Sequence, residues 1–456
     1  MFKIDQVSLK ERLSYGSAAF ASNLIFVMVS TYLLYFYTDV FGISAGIVGT
    51  LFLLVRFLDG FTDLLAGYTI DKTKTRWGKC RPYFLWLAVP FAFVGVLAFS
   101  SPDLGESGKI VFAYVTYILL TLVYTFINLP VSAMLPSMSN NPAERHEVTS
   151  IRMIFAQGGG FIVSVFTLPL VAYLGGGNDE RGFMLTMAAF GVIGCILFFI
   201  AFKNTRERNY YDSKENVTVR EGFKAFNLPW LIIFIAKVSF FFIYIIRNQA
   251  TVYYVKYAFN REDLVPVIMA LNFLTIISLL FIPIITKRIG GKKTMQLGII
   301  IAIFGSLLVY LSSTIMSIPL LLIGTGISGL GMGLVPSLLF SLVADTIDYG
   351  EWKSGIRATG LLYSGSTFAS KFGMGIGGAA GAWLLALGSY DPSAAVQSSS
   401  AMLAIEISFI WFPVVAMALV LLLLNFYKLD KIHPQIIKDL ADRKNKDSGL
   451  TEANPL

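Results

Sequence analysis

The strongest constraint on this chain is the blocking of its apolar residues. Twelve mainly apolar stretches follow one another, approximately at 13–39, 44–70, 82–100, 108–133, 142–174, 182–203, 229–258, 264–287, 294–312, 317–345, 359–388 and 401–427. A membrane-spanning helix needs about 20 such residues, because lipid offers the backbone no hydrogen-bond partners. Several stretches are longer, which permits tilt or extension beyond the bilayer. Charge lies between the blocks: only 14% of the 456 residues are charged, where a soluble domain carries roughly 25%. The pattern predicts an all-α membrane protein with 12 transmembrane helices.

Several function classes drop out at once. Two cysteines, Cys80 and Cys195, cannot form a disulfide framework or a Cys-type zinc site, and His146 and His433 both fall in polar segments. The net charge of +8 is scattered over short loops, which reads as cytoplasmic loops of a membrane protein and not as a nucleic-acid surface. A nucleophile elbow, a P-loop and a His/Cys cluster are all missing, and the glycine run from Gly373 to Gly378 sits inside an apolar span with no strand before it. An enzyme is therefore not expected, nor a cofactor. Lys3, Lys10 and Arg12 lead straight into the first span without a small-residue cleavage site, so no signal peptide is expected.

Basic residues set the orientation, since Lys and Arg accumulate in cytoplasmic loops. With the N-terminus inside, 27 of the 36 Lys and Arg fall in inside segments or at the span ends that border them, and four (Lys109, Arg181, Lys256, Arg261) in or beside outside loops. Both termini are expected in the cytoplasm of a cell carrying this protein in its inner or plasma membrane.

The longest polar stretch between spans, 204–228, separates six spans from six. The expected organisation is a six-helix bundle at 1–203, a cytoplasmic linker at 204–228, a second six-helix bundle at 229–427 and a cytoplasmic tail at 428–456. Each half has a basic, glycine-containing loop after its second span, Asp71–Lys79 and Lys287–Lys293. That repeat fits a duplicated two-bundle transporter with a central site. The two halves and buried carboxylates favour coupled exchange of states over a channel. The basic tail, Lys428 to Lys446, is a candidate for contact with anionic lipid.

Ionisable groups inside spans are costly, so each is a functional candidate. In the second span, Arg56, Asp59 and Asp63 fall at i, i+3 and i+7 on one helical face. Asp59 lies near the midplane, and Asp63 roughly 6 Å nearer the cytoplasm. Two carboxylates one turn apart repel unless a cation lies between them or one is protonated. They suit a coupling ion: hard oxygen ligands for sodium, or a proton carrier. The competing reading is a salt-bridge network with Arg56. Thr125 could complete an oxygen cage with Thr62, or simply bond back to its own helix.

The fifth helix is expected to start at Asn141-Pro142, which places Arg152 about 15 Å deep. Such a guanidinium could clamp a carboxylate or sulfonate, donate to sugar hydroxyls, or pair with Asp59. Lys371, Lys237 and Arg247 add cations in the second half; Lys237, about eight residues from the cytoplasmic end, could instead snorkel to the membrane surface. Asp345 and Asp348 read as gate or loop salt-bridge residues and not as ligands. Their candidate partners are the basic loops of the other half, Arg76 among them. The glycines Gly158 to Gly160 and Gly373 to Gly381 read as surfaces of close helix packing.

These residues resemble a known family, the glycoside–pentoside–hexuronide cation symporters of the major facilitator superfamily, which include the melibiose and glucuronide carriers. The likeness covers essentially the whole chain. It rests on Tyr15-Gly, Phe36-Tyr-Thr-Asp39, Asp59-Gly-Phe-Thr-Asp63, Thr75-Arg-Trp-Gly-Lys-Cys-Arg-Pro82, Asn128-Leu-Pro130, Asp345-Thr-Ile-Asp-Tyr-Gly-Glu351, and Lys371 after Phe368. The resemblance implies the major facilitator fold and an alternating-access symporter of a sugar or glycoside with a sodium ion, lithium ion or proton. It implies a cation site at Asp59, Asp63 and Thr125, a sugar contact at Arg152, and Lys371 close to both.

The chain also departs from the melibiose carrier. Two acidic sugar-binding positions appear as Asn23 and Asn128, and the asparagine between the paired acids is Thr62. Five span cations (Arg56, Arg152, Lys237, Arg247, Lys371) face two central acids, which points to an anionic sugar such as a hexuronide or a sulfonated sugar. Phe20-Ala-Ser-Asn-Leu24 likewise looks like the carriers of glucuronides and sulfoquinovose. A neutral glycoside, and a lipid carried by a related fold, are the alternatives. The expected partners are a small sugar and the lipid bilayer, with the protein functioning as a monomer.

Overall fold

The computed structural model of the chain describes residues 7–139, 142–208, 226–356, 358–394 and 396–452, which are helical with no β-strand among them. The first six spans are α1 (Leu9–Tyr35, continued by a π segment, Phe36–Val40), α2 (Ala45–Lys72), α3 (Arg81–Ala98), α4 (Glu106–Ala133), α5 (Pro142–Gly175) and α6 (Asp179–Asn204). Then come α7 (Leu228–Phe259), α8 (Val265–Asn272 and Thr275–Ile289), α9 (Gly291–Thr314), α10 (Ile318–Gly333 and Pro336–Ser354) and α11 (Thr359–Leu387). Last are α12 (Ser399–Glu406, the π segment Ile407–Trp411, then Phe412–Phe426) and α13 (Leu429–Glu452). Each of the twelve apolar stretches is thus a helix, and eleven are long and apolar enough to cross a membrane. The exception is α11: it is 29 residues long, but rich in glycine and serine.

Local chemistry accounts for several boundaries. Ser8 caps α1 by accepting from the Glu11 N–H at 3.3 Å, and Asn178 caps α6 by accepting from the Arg181 N–H at 2.9 Å. Proline opens α5 at Pro142, where its missing N–H costs nothing. The cap expected at Asn141 lies outside the described residues, as does most of the 204–228 linker.

The chain divides into two compact units. The first comprises 1–213, 248–270 and 378–406; the second comprises 214–247, 271–377 and 407–456. In the first, α1 packs against α5 and α6, and α3 against α4 and α6. The expected glycine packing holds at Gly159, where a Cβ would lie 2.6 Å from the Phe20 carbonyl oxygen. In the second unit, α9 and α10 approach backbone to backbone, since a Cβ at Gly305 would lie 2.3 Å from the Ser328 nitrogen. Gly373 and Gly377 meet the α7 carbonyls of Val238 and Phe242 in the same way.

The chain after α12 is a docked helix and not a loose tail. Leu429, Ile436 and Leu440 of α13 are buried in the core of the second unit. Trp352 donates its indole N–H to Asp439 at 2.9 Å, and Arg443 donates to the Trp352 carbonyl at 3.0 Å.

Candidate functional site

The carboxylates of α2 differ in environment. Asp59 is 6% exposed, and the Arg56 guanidinium donates to its Oδ2 at 2.8 Å. Both partners interact electrostatically with the hydroxyl groups of Tyr117 and Tyr124, as Asp63 does with that of Tyr124. An arginine three residues earlier on the same helix therefore supplies half of the charge balance before any ion arrives. Thr62 donates to the Asp59 carbonyl at 3.1 Å, so its hydroxyl proton is used within the helix while its oxygen lone pairs stay available. Thr125, on α4, is buried.

Arg152, on α5, donates to the Ser132 hydroxyl of α4 at 3.2 Å and interacts with Tyr15 of α1. Tyr15 itself donates to the Val131 carbonyl, just beyond Pro130. Three helices thus orient the one guanidinium. Asn23 donates back to the Ala19 carbonyl at 2.9 Å, which leaves its amide oxygen as an acceptor. Asn128 is half-buried on α4. The acids of α2, Thr125 and Asn128 of α4, and Arg152 of α5 all belong to the first unit.

In the second unit, Arg247 is buried and donates to Ser306 at 3.2 Å and Ser328 at 2.6 Å, with Phe409 5.2 Å from its guanidinium carbon. Lys371 is half-buried on α11. Lys237 is 1% exposed, donates to Ser366 at 2.6 Å and lies 3.7 Å from the Phe340 ring centroid. A lysine held between helices by a hydroxyl and an aromatic face is not snorkelling.

Asp345 and Asp348 meet a partner that sequence reasoning missed. His433, on α13, lies 3.3 Å from Asp348 and 3.7 Å from Asp345. Arg76 is exposed, stacked 4.6 Å from the Trp77 ring centroid. A second missed residue is Glu207, at the exit of α6. Its carboxylate accepts the N–H groups of Lys79, Cys80 and Arg81 at 2.9, 2.8 and 2.9 Å. It is thus an anion held at the N-terminus of α3. Gly78, at φ 108°, is required there, because a Cβ would come within 2.5 Å of that carboxylate. Burial, with the Glu207 carboxylate alongside, pushes the Cys80 thiol up to about 12. Nearby, Glu11 accepts two hydrogen bonds from Arg208, each 2.8 Å. The signal for Glu207 in the sequence was only an acid beside arginines after the sixth span.

The profile of the family described as "MFS/sugar transport protein" matches residues 14–431. The isoprimeverose transporter of Lactiplantibacillus pentosus is 42% identical over 98% of this chain and 94% of its own. A putative glycoside/cation symporter of Escherichia coli, YagG, is 36% identical over 96% of each chain. Among solved structures, the nucleoside transporter NupG shares the fold, with a TM-score of 0.64 and 14% identity over 92% of this chain and 99% of that one. These relatives are transporters and not enzymes, and the chain belongs to the MFS sugar transport proteins of glycoside–pentoside–hexuronide symporter type.

Proposed function

We propose that this symporter takes up an anionic sugar, a hexuronide or a sulfonated sugar, by alternating access of two six-helix halves. In this reading both termini are cytoplasmic, the bilayer is the inner or plasma membrane, and the unit of function is a monomer without a cofactor. Asp59, Asp63, Thr62 and Thr125 hold the coupling ion, sodium or a proton. Arg152 clamps the sugar's acid group, with Asn23, Asn128, Lys371 and Arg247 as further sugar contacts. Asp345, Asp348 and Arg76 act in gating, and Lys237 contributes positive field.

The observation that carries the ion site is the buried Asp59, balanced by Arg56 at 2.8 Å, with a second carboxylate one turn on. Asp63, Thr62 and Thr125 carry the further oxygen donors that a hard cation would need in this reading. The observation that supports an anionic sugar is the excess of cations over central acids in the spans. Arg152, oriented by Ser132 and Tyr15, suits bidentate recognition of a carboxylate or sulfonate. A neutral glycoside is the second reading, favoured by the 42% identity to a transporter named for isoprimeverose. Competition against uptake of a labelled sugar separates them. Uronides and sulfonates should compete and neutral glycosides should not; the opposite pattern overturns the anionic reading.

A further inference from the structure

At the end of α1 the regular helix widens into the π segment Phe36–Val40, an irregularity common at functional positions. It carries Thr38 and Asp39, whose side chain is 5% exposed. Three pieces of chain distant in sequence converge there: the end of α1, the end of α7, and the loop between α11 and α12. Tyr390 donates its hydroxyl to Asp39 Oδ1 at 2.6 Å, and Thr38 donates to Oδ2 at 2.7 Å. The Tyr257 hydroxyl lies 2.9 Å from that of Tyr390, and the Tyr253 hydroxyl 2.8 Å from that of Thr38. Lys256 Nζ is 4.0 Å from Asp39 and 3.0 Å from the Tyr35 hydroxyl, which in turn donates to Glu262 at 3.4 Å.

Proton accounting fixes the direction of these bonds. An ionised carboxylate only accepts, and each hydroxyl has one proton to give. With the Tyr390 proton on Asp39, Tyr257 must donate to Tyr390. With the Thr38 proton on Asp39, Tyr253 must donate to Thr38. The Thr38 hydroxyl also lies 2.9 Å from the Leu34 carbonyl oxygen, so the relay that the carboxylate itself fixes is Tyr257 to Tyr390 to Asp39, and removing that charge unmakes it. The cation site and the sugar site use none of these residues.

We propose that Asp39 and Tyr390 are gating residues of the transport cycle. They form a latch that ties the end of α1 to the end of α7 and to the α11–α12 loop on the face opposite the termini, and that opens each time sugar enters. This rests on the symport reading and the membrane orientation given above. Polar ties centred on a single group suit a seam that must open and close, whereas a packed apolar seam would have to be re-solvated at every cycle.

The test is labelling in intact vesicles with a membrane-impermeant maleimide added outside. Thr31→Cys, in a background carrying Cys80→Ser and Cys195→Ser, reports opening. Thr31 is buried and precedes Tyr35 and Thr38 on the same helical face. Asp39→Asn and Tyr390→Phe should each speed labelling about tenfold, the equivalent of one charge-assisted hydrogen bond, with Tyr257→Phe giving a smaller rise. Labelling of both variants at the parent rate overturns the latch. So does faster labelling accompanied by loss of a cooperative melt, because that marks a structural role only. The measurement needs neither sugar nor ion gradient, so its failure is distinguishable from failure of the symport reading, which uptake tests separately.

Discussion

Arg56 and Asp59 form an ion pair at 2.8 Å within a single helix, one turn apart. Asp59 thus has its own counter-charge, and under the proposed ion-site reading a coupling ion would share it with a guanidinium already in place. Removing one member of a buried pair leaves an uncompensated charge and costs about 3–5 kcal/mol. Arg56→Gln should therefore lower the melting temperature of the purified protein clearly. Asp59→Asn in the same chain should recover most of that loss. Additive effects in this double-mutant cycle would show that the pair is not energetically coupled.

Glu207 holds the α2–α3 loop to the exit of α6 through three backbone N–H groups. Glu207→Gln keeps the shape but loses the charge, and should cost about 1–3 kcal/mol, read as a fall in melting temperature. Gly78→Ala should destabilise as well, by displacing the carboxylate and straining the backbone at φ 108°. Because the two changes act on one contact, the double variant should lose less than the sum of the single losses.

Cys80 supplies a pH readout of the same contact. Its thiol is buried and pushed up to about 12, so the reactive thiolate is scarce at neutral pH. Labelling by N-ethylmaleimide should climb about tenfold per pH unit from pH 7 to 10 without levelling, where an ordinary thiol levels off near its pKa of about 8.5. Glu207→Gln removes a neighbouring negative charge that raises this pKa, so its labelling should be faster at every pH below the plateau. A plateau near pH 9 in the parent protein would contradict the buried environment.

The docked α13 predicts a stability role for the end of the chain. Ile436 is 1% exposed, so Ile436→Ala should cost about 2–4 kcal/mol. The hydrogen bonds from Trp352 and Gln435 hold the Asp439 carboxyl below the usual carboxylate range. The sign follows: Asp439 contributes to docking above the ordinary carboxylate pKa, and that contribution is lost as pH falls through its depressed value. Limited proteolysis of α13 should accelerate in acid, and Asp439→Asn should remove that acid dependence. Equal proteolysis of the parent across this range would contradict the assignment.

Much of this molecule was legible in its sequence, for physical reasons. Lipid demands long apolar helices, so each of the twelve stretches is a helix with ends within four residues of expectation, except that α10 runs nine residues further, to Ser354. The pair at Arg56 and Asp59 was legible because helical spacing alone brings i and i+3 together. Hydropathy carries no information on the breaks in α8 at Phe273–Leu274 and in α10 at Leu334–Val335. There, Gly333 approaches Thr275 so closely that a Cβ would lie 2.4 Å from its carbonyl oxygen. The partners of Glu207, His433 and Asp39 were not legible either, since each contact spans at least 85 residues. The burial of Lys237 was not legible because depth along a helix does not say which side faces lipid.

If Asp59 binds the coupling ion as proposed, uptake into sealed vesicles should depend on its carboxylate. Labelled sugar is offered under a sodium gradient and, separately, under a pH gradient; exchange of sugar across the membrane is measured without either. The parent protein should accumulate sugar under at least one gradient. Asp59→Asn should accumulate none while still exchanging it. Gradient-driven accumulation that survives Asp59→Asn would contradict the account.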